Sequence, residues 1–201
     1  MYWLYLLWRH LCFSQSKSSK SYYYLGYIYY EGKYVPQDIN KAIYFLTLSS
    51  EQNNSDAQYL LGQIYYRRDD IAKAFNYFSL SANQNNPKSQ YYLGLIYLNG
   101  RHKSQNINKA IYYLQLSANR NIKVSQYVLG NIFYGEYNRK TFLSNISKSI
   151  YYLSMAAKTF CENSNFLLGV IYFEGNAIEQ DIEKAIHYYK EDSSMNNQYA
   201  K

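Results

Sequence analysis

Cysteine is nearly absent from this sequence, with Cys12 and Cys161 the only 2 among 201 residues. Two thiols cannot build a disulfide framework or the paired-cysteine sites that hold zinc, and they do not set a redox compartment. Histidine is as scarce: the 3 residues, His10, His102 and His187, lie far apart in the chain. There is no His-Glu-x-x-His, no Cys-x-x-Cys and no glycine loop of the phosphate-cradling kind. No convergent set of catalytic groups can be assembled from these residues, so no catalytic residue, metal or cofactor and no small-molecule substrate is expected. Proline is limited to 2 residues and nothing linker-like appears. Acidic residues are outnumbered, 14 against 21 basic, for a net charge of +7. Such a balance can suit nucleic acid or an acidic partner. The basic residues are scattered, however, with no run longer than Arg67-Arg68, which reads as solvated helix faces and argues against nucleic acid. Long apolar runs are missing too. The nearest, Tyr2 to Phe13, is broken by Arg9 and His10 and lacks a small-residue cleavage site. It makes a poor signal peptide and is too short to cross a bilayer, so a cytoplasmic protein is the expectation.

What the chain does have is tyrosine, 28 residues, within a 19% aromatic and 48% hydrophobic composition. That supports a buried core and excludes a disordered chain. It also has a period. Leu-Gly occurs at Leu25-Gly26, Leu61-Gly62, Leu93-Gly94, Leu129-Gly130 and Leu168-Gly169, with glycine spacings of 36, 32, 36 and 39. Two residues after each glycine comes isoleucine (Ile28, Ile64, Ile96, Ile132, Ile171) and then an aromatic (Tyr29, Tyr65, Tyr97, Phe133, Tyr172). A second motif, close to Ile-x-Lys-Ala-Ile, alternates with the first and centres on Ala42, Ala74, Ala110, Ser149 and Ala185. From each small residue to the next Leu-Gly glycine is 20 residues in all four cases, whereas glycine to small residue varies as 16, 12, 16, 19 and 16. The constant stretch must hold a helix and a tight turn, where stacking sets the length. The variable stretch is a rim loop, where insertions cost little.

Each period reads as two helices. Apolar positions at −3, −1, +2, +3 and +4 from the glycine form a wide helical stripe. Gly32, Gly100, Gly135 and Gly175 can end the first helix in the left-handed conformation, and repeat two has Arg68 there instead. Asp38, Asp70, Asn106, Asn145 and Asp181 stand four residues before the small position, as N-caps of the second helix. That helix ends in small residues such as Ser49-Ser50 and Ser81-Ala82. The fold class expected is all-α, an α-α superhelix of helix-turn-helix repeats. The boundaries are 21–54, 55–86, 87–122, 123–161 and 162–195, with residues 1–20 as a degenerate half repeat or extension and 196–201 as a tail.

Leu-Gly-x-Ile-Tyr, a glycine-ended loop, then Asp-x-x-Lys-Ala and a helix ending in small residues resembles the Sel1-like repeat of the tetratricopeptide superfamily. The likeness covers roughly 21–193. The family's early alanine is kept only as Ala57 and is serine at Ser21, Ser89, Ser125 and Ser164. The resemblance implies a non-catalytic adaptor or scaffold whose first helices line a concave protein-binding face. Proteins of this kind assemble complexes in signalling, bacterial host interaction and membrane-protein quality control.

Offsets −3, +1 and +4 from the glycine share one face of the first helix. They carry Tyr23, Tyr30, Tyr59, Gln63, Tyr66, Tyr91, Tyr127, Asn131, Tyr134 and Phe166. This aromatic ladder is the candidate contact surface for a protein or peptide. The same offsets also suit packing between neighbouring first helices. A structural segment of a larger assembly and RNA binding through basic and tyrosine-rich surface are the alternative functions. The recurring Lys41, Lys73, Lys109, Lys148 and Lys184 read as solvated first-turn positions.

Overall fold

The structure, a computed structural model, describes residues 18–102, 104–135, 145–158, 163–175 and 178–199, with side chains as far as Ser193. The half repeat expected before residue 18 and most of the tail lie outside these residues. Among the described residues there are ten α-helices and no strand. They are α1 (Ser19–Glu31), α2 (Ile39–Glu51), α3 (Ser55–Arg67), α4 (Ile71–Asn83), α5 (Pro87–Asn99), α6 (Ile107–Ala118), α7 (Lys123–Tyr134), α8 (Ile146–Lys158), α9 (Ser164–Glu174) and α10 (Ile182–Tyr199). Odd-numbered helices are first helices and even-numbered ones second helices. The chain divides into two compact units, Met1–Gln105 and Asn106–Lys201. In the first, α1 pairs with α2, α3 pairs with α4, and α5 lies against α4. In the second, α6 packs on α7, and α7–α8 and α9–α10 form hairpins.

The helices begin and end where the side chains can satisfy loose backbone groups. All five expected caps act: Asp38, Asp70, Asn106, Asn145 and Asp181 accept the backbone N–H of the lysine three residues on, at 2.9–3.1 Å. Gly32, Gly100, Gly135 and Gly175 end their helices at φ of 69°, 64°, 96° and 62°. In repeat two, with no glycine available, Asp69 adopts φ 62°. Asp and Asn tolerate this region better than other non-glycine residues. A further device recurs in the rim loops. Gln37, Gln105 and Gln180 each donate from Nε2 to a carbonyl near the end of the preceding helix (Tyr30, Leu98, Phe173) at 2.7 Å. The constant connection has its own chemistry. Asn53, Asn85 and Asn121 turn the chain at φ 59°, 62° and 61°, and Asn54 and Asn86 then cap the next first helix. A left-handed turn followed at once by a cap leaves no room for insertion.

The Leu-Gly glycines are contact points between helices. A methyl group placed on Gly26 would stand 2.6 Å from Leu46 Cγ, on Gly62 2.6 Å from the Phe78 ring, and on Gly130 2.5 Å from Leu153 Cγ. Only glycine lets the first helix lie this close to the second. The adjoining leucines Leu61, Leu93, Leu129 and Leu168 are almost wholly buried. The small residues that close the second helices do more than make room. The Ser49 hydroxyl donates to the Ser19 carbonyl at 2.6 Å and the Ser81 hydroxyl to the Ser55 carbonyl at 2.8 Å, tying the end of each second helix to the start of its partner. Buried glutamines do similar work between repeats: Gln58 and Gln126 donate to the Ser50 and Ala118 carbonyls at the ends of the preceding second helices.

Candidate functional site

Two sets of side chains recur, one closing each hairpin and the other lying along the first helices. The first set combines the aromatic three residues past the glycine with the aromatic three residues past the small position. The pairs Tyr29–Phe45, Tyr65–Tyr77, Phe133–Tyr152 and Tyr172–Tyr188 stack at 5.6–5.9 Å with interplanar angles of 4–10°. Over the outer face of each first-helix ring sits a lysine ammonium: Lys41, Lys73, Lys148 and Lys184, at 5.1–5.3 Å from the centroid. Three of these lysines also pair with the cap carboxylate at 2.8–3.4 Å. Cap, cation and two rings thus form one layered unit across the hairpin. The lysines are exposed first-turn residues, as their positions suggested, and their contact with ring and carboxylate adds a structural cause for their recurrence. The cap carboxyls follow. Backbone N–H donation, together with the ammonium, lowers Asp38 and Asp70, and the Lys184 ammonium and backbone lower Asp181.

The second set is the ladder. In the first unit Tyr23 and Tyr30 pack on the core cluster formed by α2 and α3. Tyr59 and Tyr66 both contact Tyr92 of α5, at 6.2 and 5.3 Å, and Gln63 donates to the Tyr92 hydroxyl at 3.3 Å. Tyr91 meets Tyr92 edge to face at 5.3 Å. Cations lie over these rings too: Arg67 over Tyr30, Lys88 over Tyr59 and Arg101 over Tyr66. In the second unit Tyr127 and Tyr134 pack on the cluster around Leu153 and Leu168. The Tyr134 hydroxyl donates to Glu174 at 2.8 Å, and Phe166 is exposed. Asn131 is buried, at 6% exposure, so its amide is turned away from any partner on the surface. The ladder residues therefore sit half in the packing between first helices and half in solvent.

Burial has a chemical signature. It raises the phenol pKa of Tyr59, Tyr23, Tyr77, Tyr188 and Tyr189 above the ordinary 10.0. Neighbouring groups add to the shift, Tyr92 at Tyr59, Asp56 at Tyr23 and Tyr65 at Tyr77. A phenol whose pKa is raised on folding stabilises the fold fully below its unfolded value and loses that contribution as pH rises through the folded value. Titration at 295 nm is expected to show a late-ionising class of tyrosines that appears together with loss of helicity above pH 10.0. A single tyrosinate class completed while the helical signal is intact would contradict this.

Other clusters are chemically quiet. A shallow depression in the first unit is lined by Asp69, Asp70, Ile71, Ala72, Arg101 and His102. Arg101 is paired with Asp69, and His102 lies against the Phe75 ring at 4.7 Å. His187 is exposed on α10 against Tyr188, and His10 and Cys161 lie outside the described residues. Among the described residues no group of three metal-ligating side chains converges, and no helix is long and apolar enough to cross a membrane.

Comparisons with known proteins agree with this architecture. A family model described as Sel1 repeat matches residues 19–54, 55–86, 87–122, 123–158 and 163–191. The c5321 protective antigen of uropathogenic Escherichia coli, which displays an SLR fold, superposes with a TM-score of 0.79 at 24% identity over 89% of this chain. The chain spans only 38% of that antigen's length. A Sel1 repeat protein from Oxalobacter formigenes gives a TM-score of 0.76 at 25% identity, over 89% of this chain and 73% of that one. The immunity protein Pa5087 from Pseudomonas aeruginosa shares the fold more distantly, with a TM-score of 0.56 at 16% identity over 89% of this chain and 69% of that one. No curated protein matches the chain by sequence.

Proposed function

The chain belongs to the Sel1 repeat family, and from that premise we propose that it is an adaptor which binds a peptide or protein segment on the ladder face of its first helices. Sel1 repeat proteins generally mediate protein–protein interactions and are typically non-catalytic scaffolds. First helices line the concave side in solenoids of this kind. The observation that carries the reading is the state of the ladder. Tyr59, Tyr66 and Tyr91 are half-buried, while Phe78 and Tyr92 hold them from behind. A held aromatic loses little conformational freedom on binding, which is what a contact residue needs. The cations over Tyr30, Tyr59 and Tyr66 suit a partner segment that carries acidic side chains.

The test starts from peptides selected against the purified chain from a random display library. Dissociation constants of one such peptide are then measured for the wild type, Tyr59→Ala and Tyr91→Ala, both in the first unit, with Tyr44→Ala as control. Tyr44 is 61% exposed on the second helix α2. The ladder variants are expected to weaken binding roughly ten- to hundredfold, as loss of an aromatic anchor does, while Tyr44→Ala leaves it unchanged. Equal affinity for all three variants, in chains of wild-type helicity, would overturn the proposal.

A further inference from the structure

In the first and the fourth repeat four positions look toward the repeat that follows. They are offsets −3 and +4 on the first helix, and three before and one after the small residue on the second. In the first repeat these are Tyr23, Tyr30, Ile39 and Ile43, all packed on the cluster that contains Leu60, Leu61 and Ile64 of α3. In the fourth they are Tyr127, Tyr134, Ile146 and Ile150, packed on Leu167, Leu168 and Ile171 of α9. The cover is the same both times: a first helix presenting offsets −2, −1 and +2. In the fifth repeat the same four positions are Phe166, Phe173, Ile182 and Ile186, and they are 51%, 54%, 44% and 48% exposed. Apolar side chains are retained there at full size, with no charge among them. The opposite kind of face occurs on α1. Its offsets −2, −1 and +2 are Tyr24, Leu25 and Ile28; Leu25 is buried and Ile28 half-buried, but Tyr24 is 55% exposed where Leu60 and Leu167 at the same offset are 5%.

We infer that the outer face of the fifth repeat, on α9 and α10, receives α1 of a second copy of this chain. The occupant follows from the cover seen twice inside the chain. The fifth-repeat positions fit a first helix of this repeat type, and α1 is such a helix with its stacking residue Tyr24 in solvent. The contact is heterologous, joining two different patches, so each added copy offers a new acceptor face. The inference goes beyond ligand binding on the ladder and does not depend on it.

Sedimentation velocity of the purified chain, from micromolar to near-millimolar, tests it. The wild type is expected to associate progressively beyond a dimer. Ile186→Lys, on the acceptor face, and Tyr24→Lys, on the donor face, are each expected to stay monomeric, with self-association weakened by roughly tenfold or more. Both positions are exposed, and circular dichroism checks that both variants keep wild-type helicity. Ile182→Glu serves as a second acceptor variant. Mixing Ile186→Lys with Tyr24→Lys leaves one intact donor and one intact acceptor, so the mixture is expected to form a dimer and stop. A wild type that remains monomeric throughout, variants that associate like the wild type, or a mixture that stays monomeric would each overturn the inference.

Discussion

Phe78→Ala is expected to destabilise the first unit by about 3–5 kcal/mol, the range for removing a fully enclosed aromatic ring. The ring has no exposure. It stacks on Tyr92 of α5 at 4.6 Å and 4°, meets Tyr59 and Tyr66 of α3 at 6.2 and 6.3 Å, and fills the notch left by Gly62. One side chain of α4 therefore joins three helices and holds two ladder tyrosines from behind. Its removal leaves a cavity bordered by rings that are pinned on their other sides and relax poorly. Because a repeat array is stable roughly as a sum of neighbour terms, the loss falls on α3 to α5 first. For a unit of this size the melting temperature is expected to drop by roughly 15 °C or more, followed by circular dichroism. Peptide binding at Tyr59 and Tyr66 should weaken with it. A shift of only a few degrees would mean that the ring is replaceable by repacking.

Gly130→Val is the second large effect, and the sign needs an argument. In an isolated helix glycine is the poorer residue by about 1 kcal/mol against alanine, so a substitution that fitted would stabilise. Here a Cβ would stand 2.5 and 2.6 Å from Leu153 Cγ and Cδ2. Leu153 is itself wholly buried, and the branch point of its side chain, rather than a free end, is in the way. Overpacking of this kind costs about 1–3 kcal/mol, and the second methyl of valine adds to it, so destabilisation wins. A double-mutant cycle with Leu153→Ala checks the cause. If the clash is the source, the double variant is less unstable than the sum of the singles by more than ~1 kcal/mol. Additivity would place the damage elsewhere.

The repeat was legible in the sequence because its two rules are spacing rules. A glycine at a helix crossing and an N-cap four residues before a small residue leave marks at constant positions, as Asp38, Ala42 and Gly62 and again Asn106, Ala110 and Gly130 show. The hairpin stack was not legible in the same way. Tyr29 and Lys41 are 12 residues apart in sequence (41 − 29), and only the closed hairpin brings the ammonium over the ring. Each lysine alone resembles any solvated residue. The rim glutamines left a better trace, since Gln37, Gln105 and Gln180 all stand directly before a cap. The left-handed turns left one too, since Asn53, Asn85 and Asn121 each precede a Leu-Gly glycine by 9 residues. For the candidate surface, the helical offsets place the rings on one face, but only packing separates the buried Asn131 from the half-exposed Tyr91 and Tyr127. The open positions of the fifth repeat could not be read ahead, because Ile182 and Ile186 look identical in sequence to Ile39 and Ile43.

The parallel ring pairs have an optical consequence. Two phenols, or a phenol and a phenyl, held about 5.6–5.9 Å apart in a chiral cage couple their transitions and give a near-ultraviolet dichroic band that an open hairpin lacks. Each of these hairpins therefore carries its own chromophore. Exchanging one partner for leucine, for instance Tyr77 or Tyr188, subtracts the band of a single hairpin. A set of such variants would turn an unfolding curve into a record of the order in which the repeats come apart.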